Sequence, residues 1–400
     1  MSPSLALLLS IAVILVLLRL KMHPGPAVFI GGLVLSLIVL PLVETPRLML
    51  QTVTDVQTWR LIGIIICAYF LSKLMDQRGM LKKLAHTLES IGPKMAMHVV
   101  PSVIGMVPMP GGALVSATAM KGLAERLKLT PGQSTYINFW FRHIWELAVP
   151  VYPSVIAASV VLAVPLSTIV VTMLPAIPLM ALFGGIVSYR ILRDTPPAAP
   201  RSLTGSQLAK ELARASWPVA VLVGLVLAGL EAALAFLLVS VLLAVQQRVS
   251  RAEVKIALRY AFGLKVIFLL FAVLLYKDIV DASGAAYTLF ADMEVAGVPP
   301  AAILIALPLL IGFAAGLSMA FVGIAFPLLL PFIFDGTTLN VSALFLAYIA
   351  GGLGYMVSPL HLCLILSAEF FGAKLGDVYR YMVPPLIGVL GVALLAFLVL

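Results

Sequence analysis

One mostly apolar segment of this 400-residue chain carries three ionisable side chains. Arg142, His143 and Glu146 lie within Asn138-Phe-Trp-Phe-Arg-His-Ile-Trp-Glu146. An ionisable side chain inside an apolar membrane helix is costly, and such residues usually mark an ion, proton or substrate pathway. Arg142 and Glu146 are four residues apart, so a continuous helix would place them on one face, where their charges can neutralise each other.

This spacing leaves two interpretations open. The first is a structural ion pair that locks the helix. In the second, Arg142 contacts an anion, while Glu146 or His143 binds a proton or a cation, because a perturbed carboxylate or imidazole exchanges protons near neutral pH.

Proline and glycine interrupt the apolar segments at two pairs of places, one pair in each half of the chain. The first pair is Val107 to Ser116 (Val-Pro-Met-Pro-Gly-Gly-Ala-Leu-Val-Ser) and Pro150 to Pro153, and the second is Gly316 to Pro327 and Gly351 to His361. Irregular backbone at membrane depth must line a cavity or face other protein. Interrupted apolar segments at matching positions of two halves indicate the binding site of a transporter.

The interrupted segments supply residues that can contact a solute or an ion. Paired glycines let the backbone approach a ligand, and the helix that follows aims its N–H groups at it, although tight packing explains glycine equally well. Hydroxyls, and the carbonyls near residues 351–354, are ligands that Na⁺ prefers. For Asn138 and Tyr152, helix packing is the competing interpretation. The candidate binding residues are Pro110, Gly111, Gly112, Ser116, Asn138, Arg142, His143, Glu146, Tyr152, Ser318, Gly323, Gly354, Ser358 and His361.

The composition excludes an ordinary soluble domain. Hydrophobic residues make up 62% of the chain and charged residues 11%, whereas soluble domains have about 25% charged residues. The net charge of +9 comes from basic residues in short segments between apolar runs, as the positive-inside rule requires, so we expect no nucleic-acid partner. Cys67 and Cys363 lie in apolar runs and are predicted to be packing residues, without a disulfide or a thiolate metal site.

The pattern predicts an all-α polytopic membrane protein with two inverted-topology repeats, each containing a re-entrant helical hairpin and a broken transmembrane helix. Before the first interruption, Met95 to Met106 provides about 18 Å of helix, which is short of a hydrocarbon core of about 30 Å. The first broken helix is expected to continue to Trp145 and to break at Pro150 to Pro153. The predicted divisions are scaffold spans (1–60), a first repeat (61–193) with hairpin 95–128 and broken helix 131–163, a cytoplasmic linker (194–215), further scaffold spans (216–259), and a second repeat (260–400) with hairpin 299–334 and broken helix 338–371.

Two local signatures resemble those of a known family. Pro-Met-Pro-Gly-Gly-Ala-Leu-Val-Ser-Ala at 108–117 and Asn-Phe-Trp-Phe-Arg-His-Ile-Trp-Glu at 138–146 resemble a prokaryotic integral-membrane family, a domain of unknown function, of the ion transporter superfamily. The resemblance implies an elevator-type secondary carrier, in which hairpins and broken helices slide against a scaffold, and a homodimer. The Ser-Asn-Thr hairpin tips of divalent-anion symporters are absent here, so a dicarboxylate substrate is not implied.

The functional hypothesis is a secondary active transporter that moves a small anionic solute across the cytoplasmic membrane, coupled to Na⁺ or H⁺. The alternative is an Na⁺/H⁺ antiporter on the same scaffold. A lipid-phosphate carrier and a membrane-embedded enzyme rank lower, because no H-E-x-x-H, G-x-S-x-G or phosphate-loop motif is present. The expected partners are a small-molecule or ion substrate and the lipid bilayer, with both termini outside, no cofactor and no metal beyond a transported Na⁺.

Overall fold

The computed structural model describes residues 2–20, 22–80, 92–106, 112–193 and 205–399. Within these residues the chain is helical apart from connecting turns and one short β-hairpin, and the helices are numbered here in chain order. The first half contains α1 (Pro3–Arg19), α2 (Pro24–Val39), α3 (Glu44–Thr54), α4 (Val56–Gln77), α5 (Pro93–Gly105), α6 (Gly112–Arg126), α7 (Pro131–His143), α8 (Pro153–Val161), α9 (Leu166–Met173) and α10 (Ala176–Arg193).

The second half follows a similar order of long and interrupted helices. It contains α11 (Gly205–Leu227), α12 (Ala232–Gln246), α13 (Arg251–Ala261), α14 (Leu264–Ser283), α15 (Ala285–Val295), α16 (Pro300–Ala315), α17 (Ser318–Ile333), β1 (Phe334–Asp335), β2 (Thr338–Leu339), α18 (Val341–Met356), α19 (Leu362–Phe371) and α20 (Leu375–Val399). The two strands pair antiparallel, with Phe334 opposite Leu339, and join α17 to α18.

Three segments of the described chain are long and apolar enough to cross a membrane, by length and composition. They are Val56–Gln77, Leu166–Arg193 and Leu375–Val399. The other apolar helices have 10–17 residues, whereas a helix needs about 20 to cross the hydrocarbon core. Several of these shorter helices form the hairpins and broken helices that position the candidate site.

Each half contains one helical hairpin. Helices α5 and α6 pack against each other in the first half, and α16 and α17 in the second. The second hairpin turns at Gly316, whose φ of 63° is in the left-handed region, and Ser318 is the first residue of α17. The predicted apex of the first hairpin, which includes Pro110 and Gly111, lies outside the described residues.

The first broken helix ends earlier than the sequence predicted. Helix α7 stops at His143 instead of Trp145, and residues 144–152 form turns before α8 begins at Pro153. Two features explain the early end: the indole Nε1 of Trp145 donates to the carbonyl of Ser102 in α5 (2.8 Å), and Pro150 has no N–H with which to continue a helix. Glu146 therefore lies in a turn and not on a helix face.

The second break lies later than expected. Residues 351–354 were predicted to interrupt the helix and expose carbonyls, yet they lie inside α18, and the interruption spans residues 357–361. A Cβ at Gly351 would collide with the ring of Phe321, and one at Gly354 with the backbone of Leu309. These glycines allow close packing, and the structure places them within the helix and not at its interruption.

The predicted linker, 194–215, is helical in its second part. Helix α11 begins at Gly205, whereas residues 194–204 lie outside the described chain. The segment Gln207-Leu-Ala-Lys-Glu-Leu-Ala-Arg214 consists of strong helix formers, which accounts for the longer helix.

The hairpins and broken helices of the two halves make corresponding contacts. In each half, the first hairpin helix packs on the broken helix of that half: α5 on α7, and α16 on α18. The second hairpin helix packs on the later part of the opposite broken helix: α6 on α19, and α17 on α8. The two interruptions, at 144–152 and 357–361, are thereby brought together.

Candidate functional site

Buried ionisable side chains meet where the two interruptions face each other. Arg142 and His143 are the last residues of α7, Glu146 lies in the following turn, and His361 immediately precedes α19. Their exposed fractions are 4%, 1%, 9% and 5%. These four residues, together with Ser318 and Cys363, are called the central cluster below. Because burying charge requires paired partners, the cluster is a strong candidate for function.

The two histidines face each other through the same ring nitrogen. His143 Nδ1 lies 2.6 Å from the carbonyl oxygen of Phe139, and His361 Nδ1 lies 2.9 Å from that of Gly316. A carbonyl oxygen only accepts, so each Nδ1 carries the hydrogen, and each neutral ring has an unprotonated Nε2. The two Nε2 atoms are 3.2 Å apart. Their lone pairs repel unless a proton or a cation lies between them.

The Glu146 carboxylate connects the first interruption to the second hairpin. Its Oε1 accepts a hydrogen bond from Ser318 Oγ (2.8 Å), and its Oε2 lies 3.6 Å from His143 Nε2. Since Ser318 is the first residue of α17, the N-terminal dipole of that helix also faces the carboxylate. Glu146, Ser318 and His143 therefore form a polar site that can hold a proton or a small cation.

Arg142 contacts Cys363, for which the sequence predicted only packing. Its Nη1 lies 3.6 Å from Cys363 Sγ, in the first turn of α19. The ligand atoms of His143, His361 and Cys363 all lie within 4.8 Å of one another. The structure therefore gives Cys363 a polar environment. The His361-x-Cys363 spacing was the sequence signal for it.

Three predicted residues make structural hydrogen bonds near the cluster. Asn138 Nδ2 donates to the carbonyl of Ala113 in α6 (3.2 Å) and to Ser367 Oγ in α19 (2.9 Å), which corresponds to the packing interpretation. Tyr152 donates to the carbonyl of Gly105, and the Ser358 hydroxyl accepts the N–H of Leu360 (3.1 Å). The last two bonds fix the shape of the interruptions.

The remaining predicted residues that the structure describes lie within helices. The Ser116 hydroxyl bonds to the carbonyls of Gly112 and Ala113 in its own helix. Gly323 packs against Val273, and Gly354 against Leu309, so helix packing accounts for both glycines. Gly112 belongs to the described part of the first hairpin and is the first residue of α6.

Buried hydroxyl groups next to the cluster were not predicted from the sequence. Tyr355 is fully buried, in electrostatic range of the Glu146 carboxylate. Its hydroxyl lies beside that carboxylate, and the hydroxyls of Tyr348 and Ser154 lie beside each other, so each group has a polar neighbour. Tyr348 and Tyr355 are seven residues apart in an apolar helix, and the sequence alone could not distinguish them from ordinary core residues.

The fold and the cluster define a class: a helical membrane protein in which two hairpins and two broken helices surround buried ionisable residues. The chain belongs to the family described as "Protein of unknown function (DUF401)", which matches residues 1–400. This confirms the resemblance carried by residues 108–117 and 138–146.

A comparison with curated proteins found no match. Among solved structures, the chain is similar to the Alcanivorax borkumensis YdaH transporter, whose crystal structure is described as having an unusual topology. The TM-score is 0.62 with 15% sequence identity, and the similarity covers 90% of this chain and 89% of that one. The two proteins therefore share a fold.

Proposed function

We propose that this protein is a secondary active transporter that moves a small anionic solute across the cytoplasmic membrane, coupled to Na⁺ or H⁺. The observation that carries the proposal is the central cluster, in which ionisable residues of both halves meet at two helix interruptions. Discontinuous helices that meet near the membrane midplane form the substrate and ion sites of many carriers. The shared fold with a protein described as a transporter supports the same conclusion.

The charges of the cluster favour an anionic solute. Arg142 contributes a full positive charge, and the N-termini of α17 and α19 contribute partial positive charges at Ser318 and His361. The negative charge of the Glu146 carboxylate offsets part of this positive charge. The excess of positive charge is best balanced by an anion that binds near Arg142.

The same cluster supplies a coupling site. Glu146 is shared between the Ser318 hydroxyl and the His143 ring, so a proton or Na⁺ bound at this carboxylate changes the charge next to Arg142. Because binding of the cation and binding of the anion each reduce the cost of the other, the two are thermodynamically coupled.

An elevator motion is proposed for alternating access. The corresponding contacts of α5 to α8 and α16 to α19 support two inverted repeats that intertwine into one transport unit. The helices α1, α2 and α14 pack together, as do α4, α12 and α13, and these two groups are the proposed scaffold. The transport unit contacts this scaffold through α8 on α4 and α17 on α14.

The second candidate is an Na⁺/H⁺ antiporter. The observation that favours it is the Glu146 carboxylate itself, which has an imidazole and a hydroxyl as neighbours and can exchange a proton for a hard cation. An antiporter of this kind exchanges Na⁺ for H⁺ without an organic anion.

A thermal-shift screen of the purified protein tests the proposal. Small carboxylates, sulfonates and phosphates are compared in Na⁺ and in K⁺ at two pH values. A ligand at 100 times its Kd adds about 2.7 kcal/mol to the stability of the folded state. We expect an anion to stabilise the protein only with Na⁺ or only at the lower pH, and Arg142→Gln to lose the effect. Stabilisation by Na⁺ alone, opposed by protons, would replace the proposal with the antiporter.

A further inference from the structure

We propose that His143, His361 and Cys363 bind one divalent metal ion of the Zn²⁺ class through three protein ligands, which leaves a fourth coordination position open. The inference concerns equilibrium binding and does not depend on the proposed transport function. It rests on the ligand atoms of these three side chains, which lie within 4.8 Å of one another.

The two imidazoles are already oriented as metal ligands. Each ring donates its Nδ1–H to a backbone carbonyl, at Phe139 and Gly316, and directs an unprotonated Nε2 toward the other. Metal-bound histidines usually donate their second ring nitrogen in this manner. Tetrahedral Zn²⁺ with bonds of about 2.0–2.1 Å requires nitrogens about 3.3–3.4 Å apart. The observed Nε2–Nε2 distance is 3.2 Å.

Cys363 supplies the ligand that selects the class of metal. Its Sγ lies within 4.8 Å of the ligand atoms of both histidines. It is the second residue of α19 and lies 3.6 Å from Arg142 Nη1, and a helix N-terminus and a guanidinium both stabilise a thiolate. One thiolate with two imidazoles suits Zn²⁺ and related ions, whereas Na⁺ and Mg²⁺ prefer oxygen ligands.

Glu146 supplies negative charge beside the three ligands. Its Oε2 lies 3.6 Å from His143 Nε2, and its Oε1 accepts a hydrogen bond from Ser318. The carboxylate and the thiolate together balance the charge of a dication, and the fourth position of a tetrahedral ion is left for water or a solute.

The ligands come from both halves of the protein. His143 belongs to α7, whereas His361 and Cys363 belong to the start of α19. A bound ion therefore connects the two interruptions. The competing occupant of the space between the Nε2 atoms is a shared proton, and a proton needs neither the thiol nor the carboxylate.

Cobalt titration of the purified full-length protein in detergent, after removal of metal with a chelator, separates the two occupants. We expect one equivalent of Co²⁺ to bind with a thiolate-to-cobalt charge-transfer band, and Zn²⁺ to displace it. Cys363→Ser should lose the band, whereas Cys67→Ser, which changes the other free cysteine on α4, should keep it. His361→Gln should weaken Co²⁺ binding at least about tenfold. Loss of a residue that only hydrogen-bonds to a metal ligand already lowers metal affinity about 10–100-fold.

Elution as a single species in size-exclusion chromatography and an unchanged unfolding midpoint without metal establish that each variant is folded. If Cys363→Ser does not fold, His143→Gln with the same band and affinity measurements takes its place. A wild-type protein without the charge-transfer band, a band that survives in Cys363→Ser, or equal Co²⁺ affinity in His361→Gln would overturn the metal site. None of these results bears on whether the protein transports an anion.

Discussion

At the residue scale, the hydrogen bond between Ser318 and Glu146 is a direct test of the central cluster. Ser318→Ala leaves a buried carboxylate oxygen without its donor. A hydrogen bond to a charged group contributes about 1.5–3 kcal/mol, so we expect a lower thermal unfolding midpoint in detergent. Ser342→Ala is the matched control, because the Ser342 hydroxyl bonds to the exposed Asn340 side chain. Equal midpoints for the two variants would contradict the assigned role of Ser318.

Part of the site could be predicted from residue types alone. Arg142, His143 and Glu146 stand out because charge in an apolar segment is costly, and His361 follows a proline break in the second half. Cys363 was missed, because an apolar run around a cysteine normally indicates packing and the His361-x-Cys363 spacing alone does not show what faces the thiol. Its neighbours Arg142 and His143 come from the opposite half, and the fold alone brings them together.

At the element scale, Glu253 shows how a helix cap depends on pH outside the membrane-spanning segments. The backbone N–H and the hydroxyl of Ser250 at the start of α13, and then Arg78 just after α4, hold the pKa of Glu253 below its ordinary value of 4.5. Because the folded-state pKa is depressed, the stabilisation is present above the unfolded-state pKa and is lost as the pH falls through the folded-state pKa.

We therefore expect Glu253→Gln to unfold at a lower temperature than the wild type at neutral pH. The difference should shrink once the pH falls below about 4.5. Unfolding midpoints of both proteins across an acidic pH series measure this. A difference that stays constant down to the most acidic sample would contradict the proposed cap.

Two glycines fix the close approach of the hairpins to the broken helices. A Cβ at Gly105 in α5 would collide with the carbonyl of Arg142, and one at Gly312 in α16 with the carbonyl of Gly351. Overpacking of this kind costs about 1–3 kcal/mol. Gly105→Ala and Gly312→Ala should each lower the unfolding midpoint.

Gly122→Ala is the control for these substitutions. Gly122 lies in α6, and a Cβ there meets no described atom within 4 Å. Alanine is favoured over glycine in a helix by about 0.5–1 kcal/mol, so this variant should unfold at the same or a higher temperature. A similar loss in all three variants would indicate that the close contacts do not limit stability.

The interrupted helices were easier to predict than the residues at which they end. Proline and glycine correctly indicated that two apolar helices are interrupted. Their exact ends depend on tertiary contacts, such as the Trp145 bond to Ser102 and the packing of Gly351 on Phe321. A glycine-rich helix segment and a helix break have the same local sequence signal, and the neighbouring helix decides between them.

At the scale of the whole molecule, the two halves use one packing scheme. Pro101-Ser-Val-Ile-Gly105 and Pro308-Leu-Leu-Ile-Gly312 have the same spacing of proline and glycine in the first helix of each hairpin. In both segments the glycine contacts a carbonyl of the broken helix. This correspondence supports the proposed duplication, and it was detectable in the sequence only once the packing role of the glycine was known.

The most direct test of the proposed function is cation-gradient-driven uptake of the anion in proteoliposomes, with wild-type protein and Glu146→Gln in parallel. The anion that stabilises the wild-type protein is added outside, and uptake of that anion is measured with and without an inward Na⁺ or H⁺ gradient. We predict gradient-dependent uptake by the wild type. Glu146→Gln should bind the anion through Arg142 yet lose the dependence on the gradient. Uptake that responds to the gradient equally in both proteins, or no uptake by a folded wild type, would contradict cation-coupled transport at the central cluster.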